Sequence, residues 1–374
     1  MTRVLLVTND FPPRQGGIQS FVHGMATRLK VDHLVVYTST SSGAVAFDTA
    51  QPFPVVRADT TMLLPTPDAA RQARRIAVDH DCDTVLFGAA APLGLLAREL
   101  KRRTPVRRAV ALTHGHEAGW AALPGARQAL RRMAADLDVV TYLAEYFADR
   151  FRPVIGGLTR LEQLTFGIDT DRFHPDADGT AVRRRHGLTG RPTIVCVSRL
   201  VSRKGQDRLI DALPLIHRRV PDAALLFVGG GPAETVLRRR VARAGLGPDV
   251  AFAGAVDDAD LPAHYAAGDV FAMPCRTRRG GLDVEGLGIV FLEASATGLP
   301  IIVGDSGGAP DAVRHNETGY LVDGRDVDRI AALTSRLLTD RAHADALGTA
   351  GREWMLRDWT WDRCADRLAV LLDG

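Results

Sequence analysis

Cysteine is scarce in this chain of 374 residues, which has only four, at Cys82, Cys196, Cys275 and Cys364. No two of them form a Cys-x-x-Cys pair. Neither a zinc site nor a disulfide framework is therefore indicated by the spacing. A reduced, cytoplasmic compartment is expected.

Long uncharged runs are also missing. The longest, residues 84–97, contains Pro92 and stops at Arg98, short of the roughly 20 residues that a membrane-spanning helix requires. The opening MTRVLLVTNDFPP has one arginine and a short apolar run before Asn9, which is typical of a first strand rather than of a secretory signal. No membrane-spanning segment is expected.

The chain has little excess of either charge. Its net charge is +3 with 24% charged residues, an ordinary balance that does not argue for a nucleic-acid partner. With 46% hydrophobic residues, the chain can bury a sizeable core, and its length favours two domains over one.

Short apolar runs alternate with amphipathic stretches, which predicts α/β domains built on parallel sheets with helices on both faces. In the first half the predicted strands are 4–8, 34–37, 84–87, 109–112 and 139–142, and the helices are 18–29, 68–78, 93–102 and 127–135. In the second half the strands are 193–197, 224–228, 250–253, 270–273, 300–303 and 320–322, and the helices are 209–217, 233–244, 289–296 and 361–372.

The pattern weakens over residues 173–192, which are rich in proline, glycine and charge. A linker there divides the chain into a first Rossmann-like domain at 1–175, a second at 190–355 and a closing helix at 356–374. Two open α/β domains predict a ligand cleft between them, at the carboxyl ends of the strands.

The segment 280–300, GGLDVEGLGIVFLEASATGLP, holds two carboxylates, Glu285 and Glu293. On one continuous helix, residues eight apart are rotated by roughly 80°, so a loop running into a helix near Ile289 fits better. Free N–H groups at such a helix start bind anions, and carboxylates accept hydrogen bonds from sugar hydroxyls. An anion joined to a polyol predicts a nucleotide-sugar. The alternative is an ordinary amphipathic helix with two solvated glutamates.

Other chemistry-bearing residues also follow predicted strands. They are Asp10, Gly16 and Gly17 in the first loop, His114 and His116 in LTHGHE, Arg199 and Lys204 in SRLVSRKG, the turn Gly229, Gly230 and Gly231, and Gly254 with Val256. Arg199 and Lys204 could instead be solvated surface residues. The two histidines could be loop residues whose hydrogen bonds are satisfied within the protein, and Asp10 could simply cap the following turn. Four Asp-x-Asp pairs lie at element ends, where aspartate is favoured in caps and turns, so no metal site is predicted from them.

Several motifs together resemble a known family. The run EGLGIVFLE and the following EASATGLPIIVGDSGGAPDAVRHNETGYLV, with SRLVSRKG, VGGGP and FGIDTDRFHP, resemble the retaining glycosyltransferases of the two-domain B-type fold (GT-B), in their fourth sequence family. The segments TNDFPPRQGGIQ, THGHE and TRRGGLDVEGLG are most similar to the GDP-mannose-dependent α-(1-6)-mannosyltransferases. Those enzymes add the second mannose to phosphatidylinositol mannosides, glycolipids of actinobacterial envelopes.

The resemblance implies a role for most of the candidate residues on the donor side. Arg199 and Lys204 match the cations on the donor diphosphate, Glu285 the carboxylate near the donor sugar, and Glu293 the acceptor of ribose hydrogen bonds. Other residues are expected to bind the donor through their backbone or to border it. They are Gly286, Leu287, Gly288, Ile289, Gly230, Gly254 and Val256. The basic stretch 276–279 receives no role.

In the first domain, the resemblance places His114 beside the reacting sugar. Gly16 and Gly17 match the loop that approaches the diphosphate and the acceptor, and Asp10 faces the acceptor pocket. Retention at the anomeric carbon is implied, with no metal and no cofactor. The departing phosphate is expected to help deprotonate the acceptor on the same face, although the spacing of the residues leaves a double displacement open.

A lipid acceptor implies a peripheral position on the inner face of the cell membrane. Three basic clusters of the first domain are candidates for this contact: Arg71, Arg74 and Arg75; 101–103 with Arg107 and Arg108; and Arg127, Arg131 and Arg132. The alternative is that they are solvated helix faces.

Three other functions remain open at this point. The first is another member of the same family, with UDP-glucose or UDP-N-acetylglucosamine as donor, or with another lipid or a small polyol as acceptor. A dinucleotide oxidoreductase shares the glycine turn after the first strand, but DFPPRQGG lacks Gly-x-Gly-x-x-Gly and no acidic ribose partner follows. A non-catalytic sugar-nucleotide sensor is opposed by the intact His114, Lys204 and Glu285.

Overall fold

The computed structural model describes residues 2–115 and 117–374. The chain forms two compact units: the first comprises the chain up to Gly167 together with Trp361–Gly374, and the second is Ile168–Thr360. Each unit is built on one parallel sheet, so the predicted fold class is confirmed.

The first unit has a seven-stranded sheet in the order β3-β2-β1-β4-β5-β6-β7. Its strands are β1 Arg3–Thr8, β2 His33–Ser39, β3 Val55–Ala58, β4 Thr84–Phe87, β5 Arg108–Ala111, β6 Val139–Tyr142 and β7 Arg160–Gln163. Its helices are α1 Gly17–Ala26, α2 Ala44–Thr49, α3 Pro67–Asp79, α4 Ala97–Arg103, α5 Ala118–Ala122, α6 Pro124–Ala134 and α7 Glu145–Ile155. All of its strand pairings are parallel.

The second unit has a six-stranded sheet in the order β10-β9-β8-β11-β12-β13. Its strands are β8 Thr193–Val197, β9 Ala224–Val228, β10 Val250–Gly254, β11 Val270–Met273, β12 Ile301–Gly304 and β13 Gly319–Val322. Its helices are α8 Thr180–Arg185, α9 Gln206–His217, α10 Glu234–Arg243, α11 Leu261–Ala266, α12 Ile289–Ala296, α13 Val327–Thr339 and α14 Arg341–Asp358. The pairings are again parallel.

Strands that lie inside a parallel sheet are covered by helices on both faces, and so they read as continuous apolar runs. The strands β4, β6, β8, β9 and β11 accordingly occupy the residues that the sequence predicts. The edge strands β3 and β7 were not predicted, because their residues are mostly half-buried and, in β7, mostly polar. The helices that were also missed are α2, α5, α7, α8, α11, α13 and α14.

The linker and the closing helix differ from their predicted positions. The chain leaves the first unit after Gly167, ahead of the predicted linker at 173–192, and returns to it at Trp361. The C-terminal helix is Trp361–Asp373 rather than 356–374, because α14 continues to Asp358. It is therefore part of the first unit and not a separate segment.

The C-terminal helix is amphipathic and packs into the core of the first unit. It buries Cys364, Ala365, Leu368, Leu371 and Leu372, a spacing that forms one apolar face. These side chains join a cluster with residues of β1, β2, β4 and β5. At the start of this helix the Trp361 ring lies against Gly24, where a Cβ would come within 2.7 Å of it.

No helix within the described part of the chain combines the length and the apolar character needed to cross a membrane.

Replacement of Leu368 by alanine should destabilise the first unit by about 2–5 kcal/mol, because it leaves a cavity in a packed core. Leu368 is 0% exposed, whereas Val370 on the same helix is 68% exposed, so Val370→Ala is the matched control. Scanning calorimetry should show a lower Tm for Leu368→Ala alone. Equal and small shifts in both variants would mean that this helix does not support the first unit.

Candidate functional site

The candidate residues of the second unit lie at the end of β10, in the loops that follow β8, β9, β10 and β11, and at the start of α12 or within it. Because all the strands are parallel, these loops meet at one edge of the sheet. The loops bring charged side chains and backbone N–H groups together at that edge.

Lys204 and Glu285 form a buried ion pair. The Lys204 Nζ lies 2.7 Å from the Glu285 Oε2, and the two side chains are only 10% and 7% exposed. Lys204 ends a short 3-10 turn, Ser202–Lys204, and is followed by Gly205 at φ +85°. A Cβ at Gly205 would lie 2.1 Å from the carbonyl oxygen of Pro274, so glycine lets this turn press against the chain after β11.

The backbone of Glu285 is held by the loop that follows β12. Its N–H donates to the Ser306 Oγ at 3.2 Å, and its carbonyl accepts from the Gly308 N–H at 3.0 Å. Arg203 brings a second cation, with its Nε 3.6 Å from the same Glu285 Oε2. The buried carboxylate of Glu285 is therefore placed between two cations.

The start of α12 offers free hydrogen-bond donors. Gly288 caps the helix in the left-handed region, at φ +82°. Within the described part of the chain, the backbone N–H groups of Gly286, Leu287, Gly288 and Ile289 have no acceptor. Such a row of N–H groups at a helix N-terminus is suited to bind an anion.

A cavity of about 390 Å³ opens at the same edge of the sheet, between the ends of β8, β9 and β10. The predicted residues Arg199, Gly230 and Val256 all line it. Gly254 borders the same loops, because its carbonyl accepts a hydrogen bond of 2.7 Å from the Gly229 N–H. The exposed Arg199 makes no ion pair with any described residue.

Glu293 lies inside α12 and is bound by a tyrosine that the sequence did not single out. The Tyr265 hydroxyl donates to the Glu293 Oε2 at 2.5 Å. Burial raises the pKa of Glu293 from 4.5 to about 6, although the hydrogen bond from Tyr265 opposes that change. Burial also raises the pKa of Tyr265 well above 10, and the negative charge of Glu293 is the second cause that raises it. The structure therefore assigns Tyr265 as the residue that orients Glu293.

In the first unit, Asp10, Gly16 and Gly17 follow β1, and His114 follows β5, at the corresponding edge of that sheet. The Asp10 Oδ1 accepts from the Gln19 Nε2 at 2.8 Å. Gly17 is the first residue of α1, and Gly16 precedes it with an extended backbone. The glycines leave the start of this helix without side chains.

Hydrogen bonds to Gly88 and Glu117 hold His114 within the described part of the chain. Its Nε2 lies 2.5 Å from the carbonyl oxygen of Gly88, and because a carbonyl only accepts, the proton is on Nε2. Its backbone N–H donates to the Oε2 of the fully buried Glu117 at 2.9 Å. His116 lies outside the described residues.

Four residues that take part in the site were not predicted from the sequence. Arg203 and Glu117 stand inside motifs that were recognised, SRKG and THGHE, so their motif membership was the available signal. Ser306 also stands inside a recognised motif, VGDSGG. Tyr265 carries no local signal, because only the packing of α11 beside α12 brings it to Glu293.

The sequence is similar to proteins of known family. The model of the family "Glycosyl transferases group 1" matches residues 179–354. A protein of Mycobacterium tuberculosis named GDP-mannose-dependent alpha-(1-6)-phosphatidylinositol monomannoside mannosyltransferase is 52% identical, over 100% of this chain and 99% of the relative. A protein of Corynebacterium glutamicum, named GDP-mannose-dependent monoacylated alpha-(1-6)-phosphatidylinositol monomannoside mannosyltransferase, is 44% identical, over 100% of this chain and 98% of the relative.

Solved structures share the fold. Anabaena HepE in complex with UDP and glucose superposes with a TM-score of 0.76 at 19% identity, over 100% of both chains. Sucrose-phosphate synthase from Thermosynechococcus elongatus superposes with a TM-score of 0.75 at 21% identity, over 99% of this chain and 98% of that one.

The raised pKa of Glu293 predicts a pH effect on stability. Between pH 4.5 and 6 the folded state binds more protons than the unfolded state, so this group makes stability fall as the pH rises. Relative to Glu293→Gln, the unmodified protein should lose about 2 kcal/mol between pH 4 and pH 7, at about 1.4 kcal/mol per pKa unit.

Chemical denaturation at a series of pH values measures this difference. Glutamine keeps an acceptor for the Tyr265 hydroxyl, and the exposed Glu317 provides the control replacement Glu317→Gln. Parallel stability curves for the unmodified protein and Glu293→Gln would show that the carboxyl group of Glu293 is not buried as described.

Proposed function

The chain belongs to the glycosyltransferase group 1 family, and we propose that it transfers mannose from GDP-mannose to a phosphatidylinositol mannoside. The bond formed is α-(1-6), and the product carries the second mannose. The observation that carries this proposal is the buried Lys204–Glu285 pair beside the free N–H groups of α12, in a chain 52% identical over its whole length to enzymes of that name.

The reaction places negative charge where the second unit offers compensation. Cleavage of the anomeric C–O bond leaves the electron pair on the GDP diphosphate, and fixed donors aimed at that charge lower the barrier. Lys204, Arg199 and the N–H groups from Gly286 to Ile289 are the donors in this proposal. They take the part that a metal ion plays elsewhere, and no metal or cofactor is required.

Donor binding exchanges the partners of the ion pair. The diphosphate competes with Glu285 for Lys204, because a diphosphate carries more charge than one carboxylate. Glu285 then accepts hydrogen bonds from hydroxyls of the mannose, as an ionised carboxylate can only accept. One pair of residues thereby holds both sides of the bond that breaks.

The nucleoside occupies the cavity of about 390 Å³ that Arg199, Gly230 and Val256 line. Its volume falls in the range of about 300–1,000 Å³ that is typical of ligand pockets. Glu293, oriented by Tyr265, accepts from the ribose hydroxyls. Gly254 lets the loop after β10 border the base.

The first unit supplies the acceptor side. His114, with its proton on Nε2, contacts the reacting mannose, Asp10 faces the acceptor, and Gly16 and Gly17 allow the acceptor and the diphosphate to approach the start of α1. The configuration at the anomeric carbon is retained, and the departing phosphate takes the proton of the attacking hydroxyl on the same face. A covalent mannosyl-enzyme trapped in mass spectrometry would contradict this step.

A lipid acceptor requires the enzyme to work at a membrane surface. We place it in the cytoplasm, bound peripherally to the inner face of the cell membrane, where nucleotide-sugar and lipid acceptor meet.

Replacement of Lys204 by alanine should lower kcat for mannose transfer by about 10²–10³-fold, equivalent to about 2.7–4 kcal/mol, as expected when one donor to a developing anion is lost. The assay follows labelled mannose from GDP-mannose into a phosphatidylinositol monomannoside. It should proceed unchanged in the presence of a chelator.

Lys30→Ala is the matched control, because Lys30 also pairs with a carboxylate, Asp366, at 2.8 Å, but is 71% exposed. Lys204→Met, which keeps most of the side-chain volume, separates a catalytic loss from unfolding when its Tm is measured alongside. A kcat within threefold of the unmodified enzyme in folded Lys204→Met, or loss of activity with the chelator, would contradict the proposal.

A further inference from the structure

The second unit has another, larger cavity, of about 740 Å³, at the basic stretch 276–279 to which no role was assigned. It lies between the start of α9, the start of α10 and the loop 276–283, and we call it the basic pocket. It shares no lining residue with the cavity proposed for the nucleoside. It is therefore distinct from that cavity, although Arg203, which lines it, also approaches Glu285.

Two of its arginines are available to a ligand. Arg276 is neutralised by a bidentate pair with Asp207, at 2.9 and 2.8 Å, and Arg240 by a bidentate pair with Asp211, at 2.6 Å. Arg278 and Arg279, in contrast, are exposed and form no side-chain hydrogen bond or ion pair with any described residue. The pocket therefore presents net positive charge to solvent.

The positive charge continues along α10. An adjoining groove of about 460 Å³ shares Val236 and Arg240 with the basic pocket and is also lined by Arg239 and Arg243. Both of these arginines are exposed, and neither forms an ion pair within the described part of the chain.

Exposed apolar side chains line the same pocket. Leu282 is 84% exposed and Val236 is 63% exposed. Large aliphatic groups beside unpaired arginines are the composition of surfaces that lie in a membrane interface, where the cations meet phosphate and the apolar groups enter the acyl boundary.

The backbone presents these side chains in a short closed loop. The N–H of Arg278 donates to the carbonyl of Asp283 at 2.9 Å, and the N–H of Asp283 donates back at 3.3 Å. Arg279 has φ +51°, in the left-handed region that residues other than glycine seldom adopt.

Ion pairs within the first unit take up part of the charge of two of its three basic clusters, whereas Arg127, Arg131 and Arg132 are exposed and form no ion pair with any described residue. Arg71 pairs with Asp68, Arg75 with Asp79 at 3.4 Å, and Arg74 with Glu99 at 3.0 Å. Lys101 pairs with Asp138 at 2.7 Å. In these helices much of the charge that the sequence offered to a membrane is used within the unit.

We propose that the basic pocket docks the protein on an anionic phospholipid bilayer. Headgroup phosphates bind between Arg278 and Arg279, Arg239 and Arg243 extend the contact, and Leu282 and Val236 enter the acyl boundary. The inference rests on the proposed function in one respect, since a lipid acceptor is what brings the chain to a bilayer.

Sedimentation with vesicles tests this surface without an activity readout. Vesicles of phosphatidylcholine mixed with phosphatidylinositol should bind the full chain, vesicles of phosphatidylcholine alone should not, and salt should weaken the binding. The double variant R278Q/R279Q should bind about 30-fold more weakly, since each basic side chain near an anionic surface contributes about 1 kcal/mol and about 1.4 kcal/mol is a factor of ten. L282S should also weaken binding, by about tenfold, equivalent to about 1.4 kcal/mol.

The matched control is R218Q/R219Q. It removes the same charge from two exposed arginines of the same unit, at the far end of α9, a helix of 12 residues and hence roughly 18 Å long. It should bind vesicles as the unmodified protein does. Equal losses of vesicle binding in both double variants would mean that only net charge matters, and would overturn the proposal. Loss of vesicle binding in R127Q/R132Q of the first unit, with binding retained in R278Q/R279Q, would also overturn it.

Two further readouts separate this proposal from the proposed function. Each variant should keep the thermal stabilisation by GDP-mannose; loss of it in R278Q/R279Q would assign the loop to the donor site and overturn the docking surface. Tight binding of soluble inositol phosphate without vesicle binding would also overturn it. If no mannose is transferred but vesicle binding still depends on Arg278, Arg279 and Leu282, the docking surface stands and the proposed function fails.

Discussion

The buried ion pair between Lys204 and Glu285 is the interaction on which the rest of the candidate site depends. Removing two charges from water costs several kcal/mol per ion, and the cost is recovered only when geometry and further hydrogen bonds are good. The chain meets this condition with residues from separate loops: Gly205 lets the Lys204 turn lie against Pro274, and Ser306 holds the backbone of Glu285. A strained or loosely held pair would not persist in this position.

The same pair connects structure to chemistry. A lysine already desolvated and already facing an anion needs little reorganisation when a diphosphate takes the place of the carboxylate, and preorganised donors of this kind account for much of the effect of electrostatic catalysis. The parallel sheet explains why the other donors are close: α12 begins beside Glu285, and the loops after β8 and β9 bring Arg199 and Gly230 to the same edge. The fold therefore fixes where charge can be stabilised before any substrate binds.

Much of this arrangement was predictable from the sequence. Interior strands such as β8 and β9 are apolar throughout because both of their faces are covered, and the glycines around Ile289 marked the start of α12. The edge strands β3 and β7 of the first sheet were not predictable by this signal, since β3 is half-buried and β7 is mostly half-buried and polar. The C-terminal helix showed its apolar face, but nothing local indicates which unit that face will cover. Contacts such as Tyr265 with Glu293 join residues 28 positions apart and depend on tertiary packing alone.

The central claim is that the second unit binds GDP-mannose, and a thermal-shift comparison of GDP-mannose, UDP-glucose and UDP-N-acetylglucosamine tests it most directly. A ligand at about 100 times its Kd stabilises the folded state by about 2.7 kcal/mol, which is readily measured. We predict stabilisation by GDP-mannose alone, and its loss in Glu285→Ala. Stabilisation by a uridine nucleotide-sugar instead, or an unchanged response of Glu285→Ala, would contradict the assignment of the donor and of the ion pair that receives it.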